Sequence, residues 1–298
     1  MYKLSQDFID FVNNNPKLVT RRESTRYPGL YVLKYSRKVF YDSLWNDILE
    51  ECRGAVIDAD WNVVVRPFKK IYNRGENGTD IPLDESVEMV IKVNGFMAAA
   101  TYVEGHGVVV STTGSLDSPF VDMADHFLRP SIIPWIEKKG HGITWLFEIC
   151  HPNDPHIITE LPGSYLIGAR FVGSQEVGFL LSETALDGYA LEMGAKRPHH
   201  TKLKFQTVVD LVKNARHEGY VVRSENTILK IKSPYYLLTK FLARIKNEKF
   251  ENIVLSENFR KTIDEEYYPL LNNLRENVTA FLALDEQQRL VYIRNFYD

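Results

Sequence analysis

What most constrains this chain is a succession of short apolar runs of strand character, each closed by a turn signal, between residues 53 and 111. Residues 54–58 and 63–68 flank Ala59-Asp60-Trp61-Asn62 and predict a hairpin. Residues 89–93, 96–103 and 108–111 predict a meander, turning first at Asn94-Gly95 and then over 104–107. Such a pattern builds antiparallel sheet. More strands are expected over 144–150, 165–172, 219–223 and 228–231, the last two joined at Asn226, with helices over 120–128 and 207–215. Ser233 and Pro234 supply an N-cap and a first-turn proline for a helix over 235–246, after which the reading stays helical to the end. The fold class expected is therefore α+β: antiparallel sheets surrounded by helices, with a small helical C-terminal region.

A chain of 298 residues, 44% apolar and 25% charged, buries a sizeable core, and its length suits one large domain, 1–240, with an appendage, 241–298. It contains no run of about 18 apolar residues, and its first residues, Met1-Tyr2-Lys3-Leu4-Ser5, do not form an apolar signal region. A cytoplasmic protein without membrane association is expected, and no obligate protein partner is evident. Cys52 and Cys150 have no CxxC spacing or neighbouring histidine pair, which argues against a zinc ribbon or a structural disulfide. The formal net charge of −3 does not advertise a polyanion binder, so local clusters carry that question.

The sharpest chemical feature is Ile91-Lys92-Val93-Asn94-Gly95, a lysine at the end of an apolar strand. Taken alone, an exposed strand lysine before an Asn-Gly turn gives the same string. Its surroundings change that reading. Upstream stand Glu51-Cys52-Arg53-Gly54, then Arg66-Pro67-Phe68-Lys69-Lys70-Ile71-Tyr72-Asn73 and Glu76. Downstream come Phe147-Glu148, Glu218-Gly219-Tyr220 and Leu229-Lys230-Ile231-Lys232, each on or beside an expected strand. On the last strand the alternation sends both ammonium groups to one face and both aliphatic side chains to the other.

In this order and spacing the chain resembles the phage-type single-strand RNA ligases of the covalent nucleotidyltransferase superfamily, whose motifs run RG, KFFN-like, KxxG, FE, EGxV and KxK. The resemblance covers roughly residues 51–236. The Lys92-Val93-Asn94-Gly95 version is similar to the KxNG variant of fungal and plant tRNA ligases, which favours RNA over DNA. The resemblance implies an antiparallel-sheet nucleotidyltransferase domain and an ATP-dependent reaction that joins RNA 5′-phosphate and 3′-hydroxyl ends, in RNA or tRNA repair. It makes Lys92 the nucleophile that forms lysyl-AMP and assigns Glu148 to the AMP ribose. Glu218 is assigned to a magnesium ion, which manganese can replace. Arg53 and Lys70 are assigned to the nucleotide or its phosphates, and Lys230 and Lys232 to the α-phosphate. If the protein is phage-encoded, the host cytoplasm is the expected compartment.

An ammonium cannot attack phosphorus, so such a site is expected to depress the Lys92 pKa through neighbouring cations, which bound magnesium could supply, and a partly apolar strand. One position departs from the family: Thr113, in Ser111-Thr112-Thr113-Gly114-Ser115, stands where relatives carry a lysine, which puts one phosphate contact in doubt. Competing readings on the same core are a DNA ligase, a capping-type guanylyltransferase and a non-catalytic RNA-binding relative. An OB-fold partner of the kind that DNA ligases and capping enzymes carry is not expected within these 298 residues.

Residues 196–204 read as a basic loop able to touch RNA phosphates, Lys202 and Lys204 included, or equally as a solvated loop. The string from His151 to His156 reads as a turn rather than a metal site. From residue 250 onward nine acids (Glu251, Glu257, Asp264, Glu265, Glu266, Glu276, Asp285, Glu286, Asp298) face five bases (Arg260, Lys261, Arg275, Arg289, Arg294). Broad phosphate binding by the tail is thereby disfavoured. The tail carries none of the motifs and is expected to serve RNA engagement more than nucleotide chemistry. Leu270, Leu271, Leu274, Val278, Phe281 and Leu282 follow helical spacing and are expected to pack on the main domain.

Overall fold

A computed structural model describes residues 2–173 and 181–297 of the chain. The first sheet contains β1 (Tyr2–Lys3), β2 (Val19–Glu23), β3 (Tyr31–Tyr35), β4 (Arg53–Ile57) and β5 (Asn62–Val65), in the order β1-β5-β4-β3-β2. Next come β6 (Tyr72–Asn73) and β7 (Ser86–Ile91). The second sheet, ordered β11-β10-β8-β9, is built from β8 (Phe96–Val103), β9 (Gly107–Thr112), β10 (Ile143–Cys150) and β11 (Gly163–Phe171). The strands β12 (His200–Lys204), β13 (Gly219–Arg223) and β14 (Ile228–Lys232) join β7 and β6 in a third sheet, ordered β12-β7-β13-β14-β6. Neighbours pair antiparallel as expected, with β14 and β6 a parallel exception.

Helices α1 (Gln6–Asn14), α2 (Arg37–Tyr41) and α3 (Asp47–Glu51) belong to the first sheet, where Phe8, Val12, Val39 and Leu49 pack on Leu33 and Ile57. Helices α4 (Pro119–Leu128), α5 (Ile132–Lys139) and α6 (Glu183–Met193) cover the second, placing Val121, Leu128, Ile136 and Leu186 against Ala98, Trp145 and Phe147. Helix α7 (Phe205–Leu211) covers the third through Phe205 and Val208. Val32, Val56 and Val65 of the first sheet meet Ala99, Val109 and Leu146 of the second, which fixes those two layers together.

The hairpins β4–β5 and β8–β9 form as expected, but the one at Asn94-Gly95 does not. Strand β7 pairs with β12 and β13, and β8 pairs with β9 and β10, so residues 92–95 carry the chain from the third sheet to the second. Neither Asn94 nor Gly95 adopts the positive φ that a tight Asn-Gly turn needs. Glycine is required at 95 for another reason: a Cβ there would lie 2.2 Å from the Ile149 carbonyl oxygen. Residues 200–204, expected in a basic loop, form edge strand β12 against β7. Lysines on an edge strand discourage further pairing, and Arg197 just before it is engaged with Asp187 and the buried Glu183.

Helix α8 (Pro234–Arg244) starts where its cap dictates, with Ser233 Oγ accepting the Tyr236 amide at 3.1 Å. Helices α9 (Asn247–Val254), α10 (Glu257–Arg260), α11 (Tyr268–Glu276), α12 (Val278–Leu282) and α13 (Glu286–Tyr297) follow. Helices this short are marginal alone and stand by sharing a core. Tyr235, Leu238, Leu242, Phe250, Leu270, Leu271, Leu274, Phe281 and Ile293 form it. The apolar face expected to pack on the main domain is thus turned into the helical group's own core, to which the sheet part contributes Ile158. The expected boundary at 240/241 falls inside α8. No helix of the described residues is long and apolar enough to cross a membrane.

Candidate active site

The crossover between the second and third sheets brings the motif residues together. Lys92 follows β7, Glu148 lies on β10, and Glu218 precedes β13. The Lys92 Nζ donates to Glu218 Oε2 at 2.8 Å and lies 4.0 Å from Glu148 Oε1. The Lys232 Nζ lies 3.2 Å from the other Glu218 oxygen. Burial alone would raise the Glu218 carboxyl, yet Lys92 and Lys232 hold it below the usual carboxylate range. At Glu148 burial wins over Lys92 and the carboxyl is pushed up, aided by the Glu218 charge.

Lys92 itself departs from expectation. Burial would lower it, but Glu148 and Glu218 outweigh burial and hold the ammonium above the ordinary lysine value. The protein groups alone do not supply the expected depression, because carboxylates, not cations, are the immediate neighbours of Lys92.

Asn94 and Glu160 complete the acidic end, and neither was identified as a site residue from sequence. Asn94 is buried. Its Nδ2 donates to Glu218 Oε2 at 2.7 Å, its Oδ1 accepts the Ile158 amide at 2.9 Å, and its own amide donates to Glu160 Oε1 at 3.1 Å. Glu160 lies in the β10–β11 loop with no motif spacing to flag it. Burial raises its carboxyl, with Glu218 and Glu148 adding to the effect against the Asn94 amide. Asn94 had a signal, its place in the KxNG string, but the turn reading hid its contacts.

The opposite end is cationic. Lys230 is pushed down to about 7, first by burial and then by Lys70, Arg53, Lys92 and Lys232. Among the described residues no carboxylate pairs with its ammonium. Lys70 is bound to Glu76 at 2.9 Å and sits among three rings, with Tyr72, Trp45 and Phe40 centroids at 4.9, 5.2 and 5.7 Å. Arg53 reaches Met97 Sδ from Nη1 at 3.6 Å, and two residues before it Glu51, although buried, accepts from Arg66 and Arg170 and is held below the usual range. Lys34 is Arg53's register partner across β3 and β4, which puts both side chains on one face. The Lys34 side chain runs across Gly114, where an added Cβ would lie 2.2 Å from its Nζ. A cation from β3 therefore stands beside Thr113.

Carboxylate oxygens suit magnesium, which commonly takes one or two protein carboxylates and completes its shell with water and phosphate oxygens. Among the described residues no three ligating side chains are already gathered around a common point. Glu218 and Glu148 fit that sparse mode of binding. In the 151–156 turn, His156 Nε2 meets Asp154 Oδ2 at 2.7 Å.

The RNA ligase family profile matches residues 51–241. The "RNA ligase" of Rhodothermus phage RM378 is 25% identical, over 80% of this chain and 70% of that protein. Among solved structures, an archaeal ATP-dependent RNA ligase superposes with a TM-score of 0.61 at 15% identity, covering 97% of this chain and 76% of the other. An Aquifex aeolicus protein provisionally assigned as an ATP-dependent DNA ligase gives 0.57 at 14% identity, covering 97% and 77%. RNA and DNA ligases share this fold, so the structural likenesses establish the fold alone. The family profile decides between the polynucleotides.

Proposed function

The chain belongs to the RNA ligase family, and from that premise we propose that it joins RNA ends through an AMP carried on Lys92. The supporting observation is Lys92 at the crossover, with Glu218 and Glu148 on one side and Lys230, which has no carboxylate partner among the described residues, on the other. In the first step the Lys92 nitrogen attacks the α-phosphorus of ATP, a P–N bond forms, the bond to the β-phosphate oxygen breaks, and pyrophosphate leaves. AMP then passes to an RNA 5′-phosphate, and a 3′-hydroxyl displaces it to make the phosphodiester. RNA repair, including tRNA repair, is the setting this chemistry suits.

In this reading Lys230 and Lys232 orient the α-phosphate and neutralise charge developing on it. Arg53 and Lys70 hold the phosphates, and Lys34 supplies the cation that Thr113 does not. Glu148 takes the ribose. Glu218, with Glu148 beside it, would hold a divalent metal, whose charge would disfavour the Lys92 ammonium and favour its neutral, nucleophilic form. The protein's own part is positioning and charge stabilisation. The helical region, with its start moved from 241 to the beginning of α8 at Pro234, is proposed as an appended unit.

Incubation with α-labelled ATP and magnesium tests the central step. An acid-labile label on Lys92 is expected, and its absence from the folded, unsubstituted protein overturns the reading. Lys92→Arg keeps a cation beside Glu218 and should give no label. Labelling by GTP instead, or sealing of DNA but not RNA ends, would favour the capping or DNA ligase alternative.

A further inference from the structure

The helical tail is joined to the Lys92 crossover by a continuous set of hydrogen bonds. Arg294, on the last helix, donates from Nη1 to Thr159 Oγ1 at 2.5 Å and from Nη2 to the Ile157 carbonyl at 3.1 Å. Between those two residues, the Ile158 amide donates to Asn94 Oδ1 at 2.9 Å, and the next residue, Glu160, accepts the Asn94 amide. Asn94 in turn holds Glu218. Apolar packing runs alongside: Ile157 is buried with Tyr236, Ala243 and Leu290, and Ile158 packs on the helical core. The far end of the 151–162 loop is held separately, by Lys196 Nζ donating to the Pro162 carbonyl at 2.7 Å and Tyr165 Oη to the Leu161 carbonyl at 3.0 Å, so Arg294 is the tail's side-chain hold on residues 157–159.

We propose that the C-terminal helix α13 is a brace for lysine adenylylation, with Arg294 and Glu160 as positioning residues that hold the Lys92–Gly95 crossover in its reactive geometry. The inference rests on the RNA ligase reading for its kinetic consequence. The tail thus acts on nucleotide chemistry, beyond the RNA engagement that its lack of motifs suggests. Arg294 never touches ATP. It fixes the loop that fixes Asn94, and Asn94 places Glu218 against the Lys92 ammonium. A small displacement at such a centre costs rate rather than affinity, because the phosphates are held by cations on other strands.

The test uses the full chain and single-turnover labelling of Lys92 by ATP and magnesium. Arg294→Ala should lower the rate at saturating ATP about tenfold with little change in KM. Arg294→Lys, which keeps one donor, should recover part of the loss. Glu160→Ala should give a similar loss, and the double variant should fall no further than the worse single variant, because both act through Asn94. In Arg294→Ala, hydrogen exchange at the Asn94 and Ile158 amides should quicken while the third-sheet amides stay protected. Arg294→Ala labelling at the unsubstituted rate, losses that multiply in the double variant, or unchanged exchange at Asn94 and Ile158 would each overturn the brace. Absence of label in the unsubstituted protein would instead defeat the ligase reading, and the exchange measurement would still decide the brace.

Discussion

Two lysines in one site are driven in opposite directions. Lys92 sits among Glu148, Glu160 and Glu218 and is held above the ordinary lysine value by two of them, Glu148 and Glu218, against burial. Lys230 is likewise subject to burial but has cations for neighbours and is pushed down to about 7. Burial is common to both, so the sign of the neighbouring charge decides the outcome. The acidic end gathers three carboxylates around Lys92 and suits a divalent cation, whereas at the basic end Lys230 has no carboxylate partner among the described residues and suits a phosphate.

The largest effect should come from the acidic end. Glu218 meets Lys92 and Asn94 through one oxygen and Lys232 through the other. Glu218→Ala should cut labelling of Lys92 by about a hundredfold or more. Retention of half the rate, measured at saturating magnesium, would break the comparison by showing that the acids are only structural.

At the basic end, Lys230→Ala should lower labelling by roughly a hundredfold. The free site also makes a pH prediction. Above pH about 7 Lys230 loses its proton, and phosphates restore it, so ATP binding should take up a proton and weaken as pH rises. Calorimetry in two buffers of different ionisation enthalpy measures this uptake. A proton count of zero at pH 8, or an uptake that persists unchanged in Lys230→Ala, would show that Lys230 does not face the phosphates.

The same depression carries a stability consequence. Holding Lys230 charged in this site costs free energy, and because its folded value lies below the unfolded one of about 10.4, the cost is complete below pH 7 and disappears as pH approaches the unfolded value. Lys230→Met should therefore stabilise the protein by about 1 kcal/mol or more at pH 6 and not at pH 10. Thermal melting at both values checks the sign. A gain that is equal at the two would assign the effect to packing.

Lys34 should show a smaller, more specific effect. Lys34→Ala is expected to raise the KM for ATP about tenfold with little change in the saturated rate, and Thr113→Lys in that background should reverse it. An unchanged KM, or failure of Thr113→Lys to restore it, would leave Lys34 outside the phosphate site. The smallest effect belongs to Lys261, exposed on the tail and with no part in the Arg294 hydrogen bonds. Lys261→Ala should leave Lys92 labelling unchanged, and a tenfold loss would extend the site into the outer tail helices.

Local chemistry made much of this legible beforehand. Strand alternation, the Ser233 cap and the positions of Lys92, Glu148, Glu218, Lys230 and Lys232 depend on residue type and short spacing, which the chain carries on its surface as text. Asn94-Gly95 shows where that ends. The pair has the composition of a tight hairpin turn, but its conformation is decided by the Ile149 carbonyl that lies against Gly95 and by the Glu218 carboxylate that binds Asn94. Glu160 and Arg294 entered the site through a loop and a helix remote from it in sequence. The protonation of Lys92 and Lys230 was likewise undetermined by their sequence neighbours, because Coulomb energy follows distance through the folded molecule. Sequence named the motif groups, because their spacing is local; tertiary structure added Glu160 and Arg294 to them and decided which charges they meet.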